Sequence, residues 1–469
     1  MSVINGGTVM NKRVLLTWTS ILVISLSGCS LWKANSDEAD SDIAVVSEVS
    51  GKVRVALAGW QVANGLDPVT VKKTTGFSEY SKKTFNHMYP NIELEVIQIP
   101  WENAQAKQKA LLLSRDVDVL YTGGAFASQF YQQGLLRNID DLIENDRRFD
   151  PDLYIRNVYE NSFSTKSLDG QHQFGLPSVL GSYMIVYDKK LFDDWGVEYL
   201  SETPTPEEVL HKAKRMTGKN PVTGEKNYGL WFQGNSLNQY TFVTLTYAYG
   251  AEGAVGSLND LKRVRWELNK PEMKKVFEWL KEASTLAPPA FINGQGKENF
   301  GLENNNIAIG ILSASAFPAF SEYKSSGDTK LIERFVPVKN FGPDGKGWIP
   351  TDPIVMAKNA DDVRASWEVM KFLASYDTQK HNYENFQYNP SIADPDFVDP
   401  HDVYTQKAIE IAKLAEPTLM DEANPFFGTK MVPVINGFIS QAHNNRAPDI
   451  DELLKNLQQD ATEWSRHQK

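Results

Sequence analysis

Cys29 carries the most clearly marked chemistry in the chain. It is the only cysteine in 469 residues, and it ends the run Leu26-Ser27-Gly28-Cys29. An apolar stretch from Val14 to Leu26 precedes it, and Lys12-Arg13 precedes that. A lone thiol behind two small residues is open to acylation. One cysteine builds no disulfide framework and no CxxC metal or redox motif. The seven histidines are scattered, with no HExxH, which argues against zinc. Asp140-Asp141 and Asp361-Asp362 supply neighbouring carboxylates. Adjacent residues on a helix diverge, however, whereas a glycosidase acid–base pair converges across its substrate. There is no G-x-S-x-G, and Gly342-Pro-Asp-Gly-Lys-Gly347 does not fit a phosphate-binding loop. These residues read as a protein that is not an enzyme and needs no cofactor.

The segment around Cys29 resembles the lipobox of bacterial lipoproteins, where the cysteine becomes the lipid-bearing first residue. Residues 1–28 then form a signal peptide, with a positive n-region and a short h-region. The apolar stretch is shorter than the roughly 20 residues a transmembrane helix needs. Met10 makes a more ordinary start than Met1, because Met10-Asn11-Lys12-Arg13 is a typical n-region. Residues 29–51 add Ser, Asp, Glu, Ala and Asn, the composition of a polar tether. The expectation is a lipid-anchored protein on the outer side of a cell membrane, attached through Cys29.

The remaining body of about 420 residues suits two domains. Its 41% hydrophobic and 11% aromatic residues are enough for sizeable cores. The formal charge of −11 becomes −13 once Lys12 and Arg13 are removed with residues 1–28. Nucleic-acid binding, which leaves a basic footprint, is excluded on that ground.

Strand and helix patterns alternate along the body. Val53 to Ala58, the period-two run Ile92 to Ile99, and Val117 to Tyr121 read as strands. Helices at Phe77 to Met88 and Glu102 to Leu113 separate them. That order predicts a largely parallel sheet with helices on both faces, and ligands bind beyond the carboxyl ends of such strands. Thr205-Pro206-Glu207-Glu208 predicts a capping box with a first-turn proline. Helices carrying Met273, Val276, Phe277 and Leu280, or Ile450, Leu453, Leu454, Leu457, Ala461 and Trp464, read as core stripes.

Several motifs in order carry a family resemblance. Gly170-Gln-His-Gln-Phe-Gly-Leu-Pro177 is followed by Met184-Ile-Val-Tyr-Asp-Lys-Lys-Leu-Phe192, Trp195-Gly196 and Pro204-Thr-Pro-Glu-Glu-Val-Leu210. Glu303 to Gly310, Asp352 to Asn359 and Ala365 to Leu373 come later. The set resembles the extracellular solute-binding proteins of ABC transporters, of the maltodextrin and multiple-sugar type. Asp188 departs from that pattern, where Asn is usual, and no Trp precedes Glu207.

The resemblance implies an α/β, two-lobed periplasmic-binding-protein fold (a Venus flytrap) with mostly parallel sheets. By analogy the N-lobe comprises 52–178 plus 354–400 and the C-lobe 183–350 plus 405–469. Hinges then fall near Ser178–Ser182, Thr351–Ile354 and Pro400. A monomer that captures a carbohydrate, an oligosaccharide by preference, and hands it to membrane permease subunits is the implied function. A polyamine, peptide or other cation as ligand, or a secreted glycan-active enzyme, are the alternatives.

Sugar sites combine aromatic faces with carboxylates and amides that take the hydroxyls. Loop residues of those types are Trp60, Gln61, Trp101, Glu102, Tyr121, Thr122, Trp231, Asn238, Gln239, Tyr240, Trp348 and Asp352. Trp60, Trp231 and Trp348 stand out, each in a glycine-bearing or strand-end loop. Ordinary packing explains any single tryptophan equally well, and Trp266 and Trp279 read as core. Alignment with the maltodextrin binders puts Ser315, with Phe317 two residues on, and Thr122 where those proteins have sugar-stacking tryptophans. The maltodextrin pocket itself is therefore not expected.

Overall fold

The computed structural model describes residues 48–468, apart from 68–70, 162, 182, 235–239, 343, 348–349 and 422. Cys29, Asn238, Gln239 and Trp348 lie outside the described residues.

The compact unit Ile43–Lys469 carries two main sheets. The first has six strands in the order Asn389–Pro390, Gly175–Leu180, Thr351–Met356, Val119–Tyr121, Gly51–Ala58, Ile92–Ile99. The second has five, in the order Phe335–Val338, Tyr183–Asp188, Ile307–Ser313, Lys226–Phe232, Gly218–Lys219. Each sheet has its own core. Val53, Val55, Leu57, Leu120, Ile354 and Met370 pack the first. Met184, Val186, Leu230, Phe277, Ile309 and Leu454 pack the second.

The α/β architecture agrees with the expectation, but the sheets are mixed rather than mostly parallel. Gly51–Ala58 runs parallel to both its neighbours, and Ile307–Ser313 runs parallel to Lys226–Phe232. Thr351–Met356 is antiparallel to both its neighbours, as is Tyr183–Asp188. The reason is the crossing between sheets. Gly175–Leu180 leaves the first sheet for the second, and Thr351–Met356 comes back. A departing and a returning strand placed side by side must run in opposite directions.

The crossings lie between Leu180 and Tyr183, between Val338 and Thr351, and after Pro390. At the first, the Gly181 N–H donates to the Pro350 carbonyl at 2.8 Å. The two main crossings therefore touch.

Local signals are only partly realised. Thr205 caps the helix Pro206–Arg215, its hydroxyl accepting from the Glu208 N–H at 3.0 Å. Glu208 does not reach back to Thr205. Its carboxylate takes the N–H and hydroxyl of Ser201 and the ammonium of Lys212. The final helix, Ile450–Arg466, buries Ile450, Leu454, Leu457 and Ala461, with Leu453 and Trp464 half-buried against the same core. Trp266 and Trp279 are core, with indole N–H groups satisfied by Ser465 and the Pro206 carbonyl.

Candidate functional site

A cavity of about 280 Å³ opens where the crossings meet. Trp101, Phe126 and Asp352 border it from the first sheet's side, and Tyr183 and Ser313 from the second's. Gly123, Gly124, Ala125, Gly181 and Pro350 complete the described lining. The site therefore sits beyond the ends of Val119–Tyr121 and Ile307–Ser313, as the α/β rule requires.

Two glycines shape it. Gly59 has φ of +70°, and a Cβ there would lie 1.9 Å from the Trp101 indole nitrogen. Only glycine lets that ring lie over the strand end. At Gly124 a Cβ would meet the Thr351 carbonyl at 2.5 Å, so the helix Gly124–Gln132 can start directly against the returning strand. That start brings the Gly124 N–H onto the Asp352 carboxylate.

Asp352 is the only ionisable carboxylate lining the cavity among the described residues. The Tyr121 phenol donates to it at 2.9 Å. Burial pushes Asp352 up to about 7, against the pull of the hydrogen bonds from Tyr121 and Gly124. Tyr121 is buried between Trp60 and Trp101, with ring centroids 5.2 and 6.0 Å away. Burial, and after it the charge of Asp352, raise its phenol well above the ordinary value.

The second lobe contributes a ring pair. Tyr183 stacks on Tyr240 with centroids 3.9 Å apart, and the buried Tyr240 hydroxyl donates to the Ile311 carbonyl. Tyr240 thus backs Tyr183, and Tyr183 borders the cavity.

Of the residues singled out in the sequence, Trp101 and Asp352 line the cavity, and Tyr121 supports them. Trp101 is 44% exposed, as a ring awaiting a partner should be. Glu102 is exposed beside it, in the turn Trp101–Asn103. Gln61 is exposed and donates to the Ala63 carbonyl.

The others are placed elsewhere. Trp60 is buried against Phe77 and Tyr121, behind the cavity wall. Thr122 is fully buried, its hydroxyl donating to Gln108 at 2.6 Å. Trp231 is 1% exposed, with its N–H on the Gln295 carbonyl at 2.8 Å and Lys297 over its ring. The turn Pro289–Asn293 and the residues after it cover that strand end, so Trp231 packs as core. Phe317 is core too, 4.4 Å from Tyr404. Ser315 is exposed and accepts from the Asn389 amide at 3.2 Å.

Tyr183, Phe126 and Ser313 were not singled out. Tyr183 had a signal: it is the first strand residue after the crossing that follows Leu180, so it had to emerge at the cleft.

Residues 68–380 match the bacterial extracellular solute-binding protein family. The chain belongs to that family. Solved structures share the fold. An ABC substrate-binding protein from Listeria monocytogenes, in complex with cycloalternan, is 19% identical with a TM-score of 0.64, over 89% of this chain and 99% of that one. The sugar-binding protein MalE from Xanthomonas citri is 16% identical with a TM-score of 0.67, over 88% and 97%. The GacH receptor of Streptomyces glaucescens, studied unliganded and with acarbose, is 17% identical with a TM-score of 0.59, over 90% and 100%. The two-lobed fold of this solute-binding protein is thus the fold of its relatives. No helix among the described residues is long and apolar enough to cross a membrane.

Proposed function

We propose that this solute-binding protein captures a carbohydrate between its lobes and delivers it to the permease of an ABC importer. The observation that carries this reading is the cavity at the crossings. It joins the Trp101, Phe126 and Tyr183 rings to one carboxyl group, Asp352, across two lobes. Rings supply flat apolar surface for sugar C–H faces, and the carboxyl accepts or donates to hydroxyls. Relatives of the same fold hold cycloalternan, D-mannitol and α-D-tagatose, so the fold accommodates saccharides and polyols of several sizes.

In this reading the lobes are 52–178 plus 354–400 and 183–350 plus 405–469. They turn about the crossings and close on ligand, which stabilises the closed form only as far as it binds that form better. The protein performs no turnover and works as a monomer. Lipid on Cys29 holds it outside the membrane and raises its concentration at the permease.

The test is a thermal-shift and calorimetric screen of the form lacking residues 1–29. Mono- and oligosaccharides, polyamines, peptides and metals make up the panel. A saccharide that raises Tm by linkage supports the reading. Shifts from polyamines or metals alone overturn it, and hydrolysis of a glycoside overturns the non-enzyme part. Labelling with a fatty-acid analogue, lost in Cys29→Ser while binding is kept, tests the anchor.

A further inference from the structure

We infer that the ligand is a saccharide bearing a protonated amino group, held by Asp352 and the surrounding rings. This rests on the carbohydrate reading and narrows it.

The cavity has an unbalanced charge. Asp352 receives hydrogen bonds from a phenol and a backbone N–H, both neutral. Among the described residues no lysine, arginine or histidine lines the cavity. Among its described lining residues the cavity thus offers one carboxyl group and no cation.

A carboxylate in an enclosed, ring-lined space is costly unless a proton or a positive charge neutralises it. A neutral sugar can satisfy its hydrogen bonds but supplies no charge, so Asp352 must keep its proton to be neutralised. An ammonium group does both, through a charge-assisted hydrogen bond. The Trp101, Tyr183 and Phe126 rings that border the same space attract ammonium through their quadrupoles as well as sugar C–H faces. A saccharide carrying an amine uses every feature of the lining. A simple polyamine would leave the flat surfaces without a ring to pack on.

The experiment is calorimetry at pH 7 on matched sets. Glucosamine, galactosamine and their β-1,4 oligomers are compared with their N-acetylated forms and with neutral hexoses of equal length. The expected result is that the amino form binds about tenfold or more tightly than both counterparts in at least one set. Asp352→Asn should bring the amino and neutral forms within about threefold of each other. The wild-type comparison stands even if that variant does not fold. Neutral or N-acetylated sugars binding as tightly as their amino counterparts would overturn the inference and leave the carbohydrate reading intact. An amino preference that survives Asp352→Asn in a folded variant would also overturn it. Binding of polyamines without any saccharide would overturn the carbohydrate reading itself.

Discussion

The Tyr121 phenol donates to the Asp352 carboxylate at 2.9 Å, across the line where a strand of the first sheet meets the strand returning from the second. The bond steadies a charge that burial disfavours. Asp352 is raised to about 7, so the folded protein holds this proton through a range in which the unfolded chain has released it. Stability contributed at this site is therefore greatest at low pH and falls as pH rises from about 4 towards 7. Between pH 5 and 8, wild type should lose roughly 2 kcal/mol relative to Asp352→Asn, measured by denaturant melts. Tyr121→Phe removes a donor that favours the ionised form. It should carry the loss to higher pH, and a curve unchanged by that substitution would refute the coupling.

Two tryptophans separate ligand contact from packing. Trp101 is 44% exposed and lines the cavity, whereas Trp231 is buried with its N–H satisfied. Trp101→Ala should cost about 1–3 kcal/mol of saccharide affinity, the range for stacking on flat ligands. Its effect on stability should stay within about 0.5 kcal/mol. Trp231→Ala should instead cost about 3–5 kcal/mol of stability, as truncation of a buried aromatic does. Calorimetry and melts on both variants check this, and an exchange of the two phenotypes would contradict the placement.

These tryptophans show what the sequence made legible. Length suited two domains, the strand–helix order pointed to α/β structure, and the family resemblance implied two lobes with a hinge near Ser178–Ser182. Strand direction was not visible, because it follows from which lobe the chain is leaving. Trp231 lies next to Gln233 and Gly234, which read as an open loop. Its burial depends on a carbonyl 64 residues away, and local sequence carries no trace of that cover. Trp101 was one of several candidate loop aromatics but did not stand out among them, since the reason its ring stands in the cleft is the missing side chain at Gly59. Asp352 was legible as a polar residue at a crossing, but its raised pKa comes from the enclosure that both lobes create.

Asp188 was visible in the sequence as a departure from the family pattern, and the structure explains it. Its carboxylate is fully buried and takes two hydrogen bonds from Arg334, at 2.8 and 2.6 Å. It also accepts from Asn305 at 2.8 Å and caps the helix Lys189–Trp195 through the Lys190 N–H. Asparagine could cap the helix but could not accept both Arg334 bonds as an anion. Asp188→Asn should cost about 1–3 kcal/mol. Arg334→Met, which strands a buried carboxylate, should cost about 3–5 kcal/mol. Equal costs for the two substitutions in urea melts would deny the charge pairing.

Asp146 behaves oppositely to Asp352. Burial raises its pKa, but the Lys371 hydrogen bond, with help from the Arg148 N–H and Trp367, holds it far below the usual carboxylate range. Its folded pKa is depressed, so its contribution is present above the unfolded value near 4 and is lost as pH falls below it. Asp146→Asn should destabilise by about 1–3 kcal/mol at pH 7 and progressively less towards pH 3, seen as converging melts of variant and wild type. A gap that widens on acidification would reverse the assignment.

Gly181 packs one crossing against the other. A Cβ at this position would lie 2.5 Å from Cγ and 2.8 Å from Cδ of Pro350, while the Gly181 N–H still donates to the Pro350 carbonyl. Its φ lies outside the left-handed region, so alanine meets no backbone strain here; its Cβ meets chiefly the proline ring, with the Pro350 carbonyl next at 3.3 Å. Gly181→Ala should therefore push the two crossings apart without unfolding either lobe. Ligand affinity should fall about tenfold, because part of the binding free energy must then draw the lobes together. Small-angle scattering of the ligand-free variant should report a larger radius of gyration than wild type. Pro350→Ala removes Cγ and Cδ, the atoms that clash, and in the Gly181→Ala background it should restore both affinity and radius. If affinity falls but Pro350→Ala fails to restore it, the loss lies within one lobe and the crossings do not set closure.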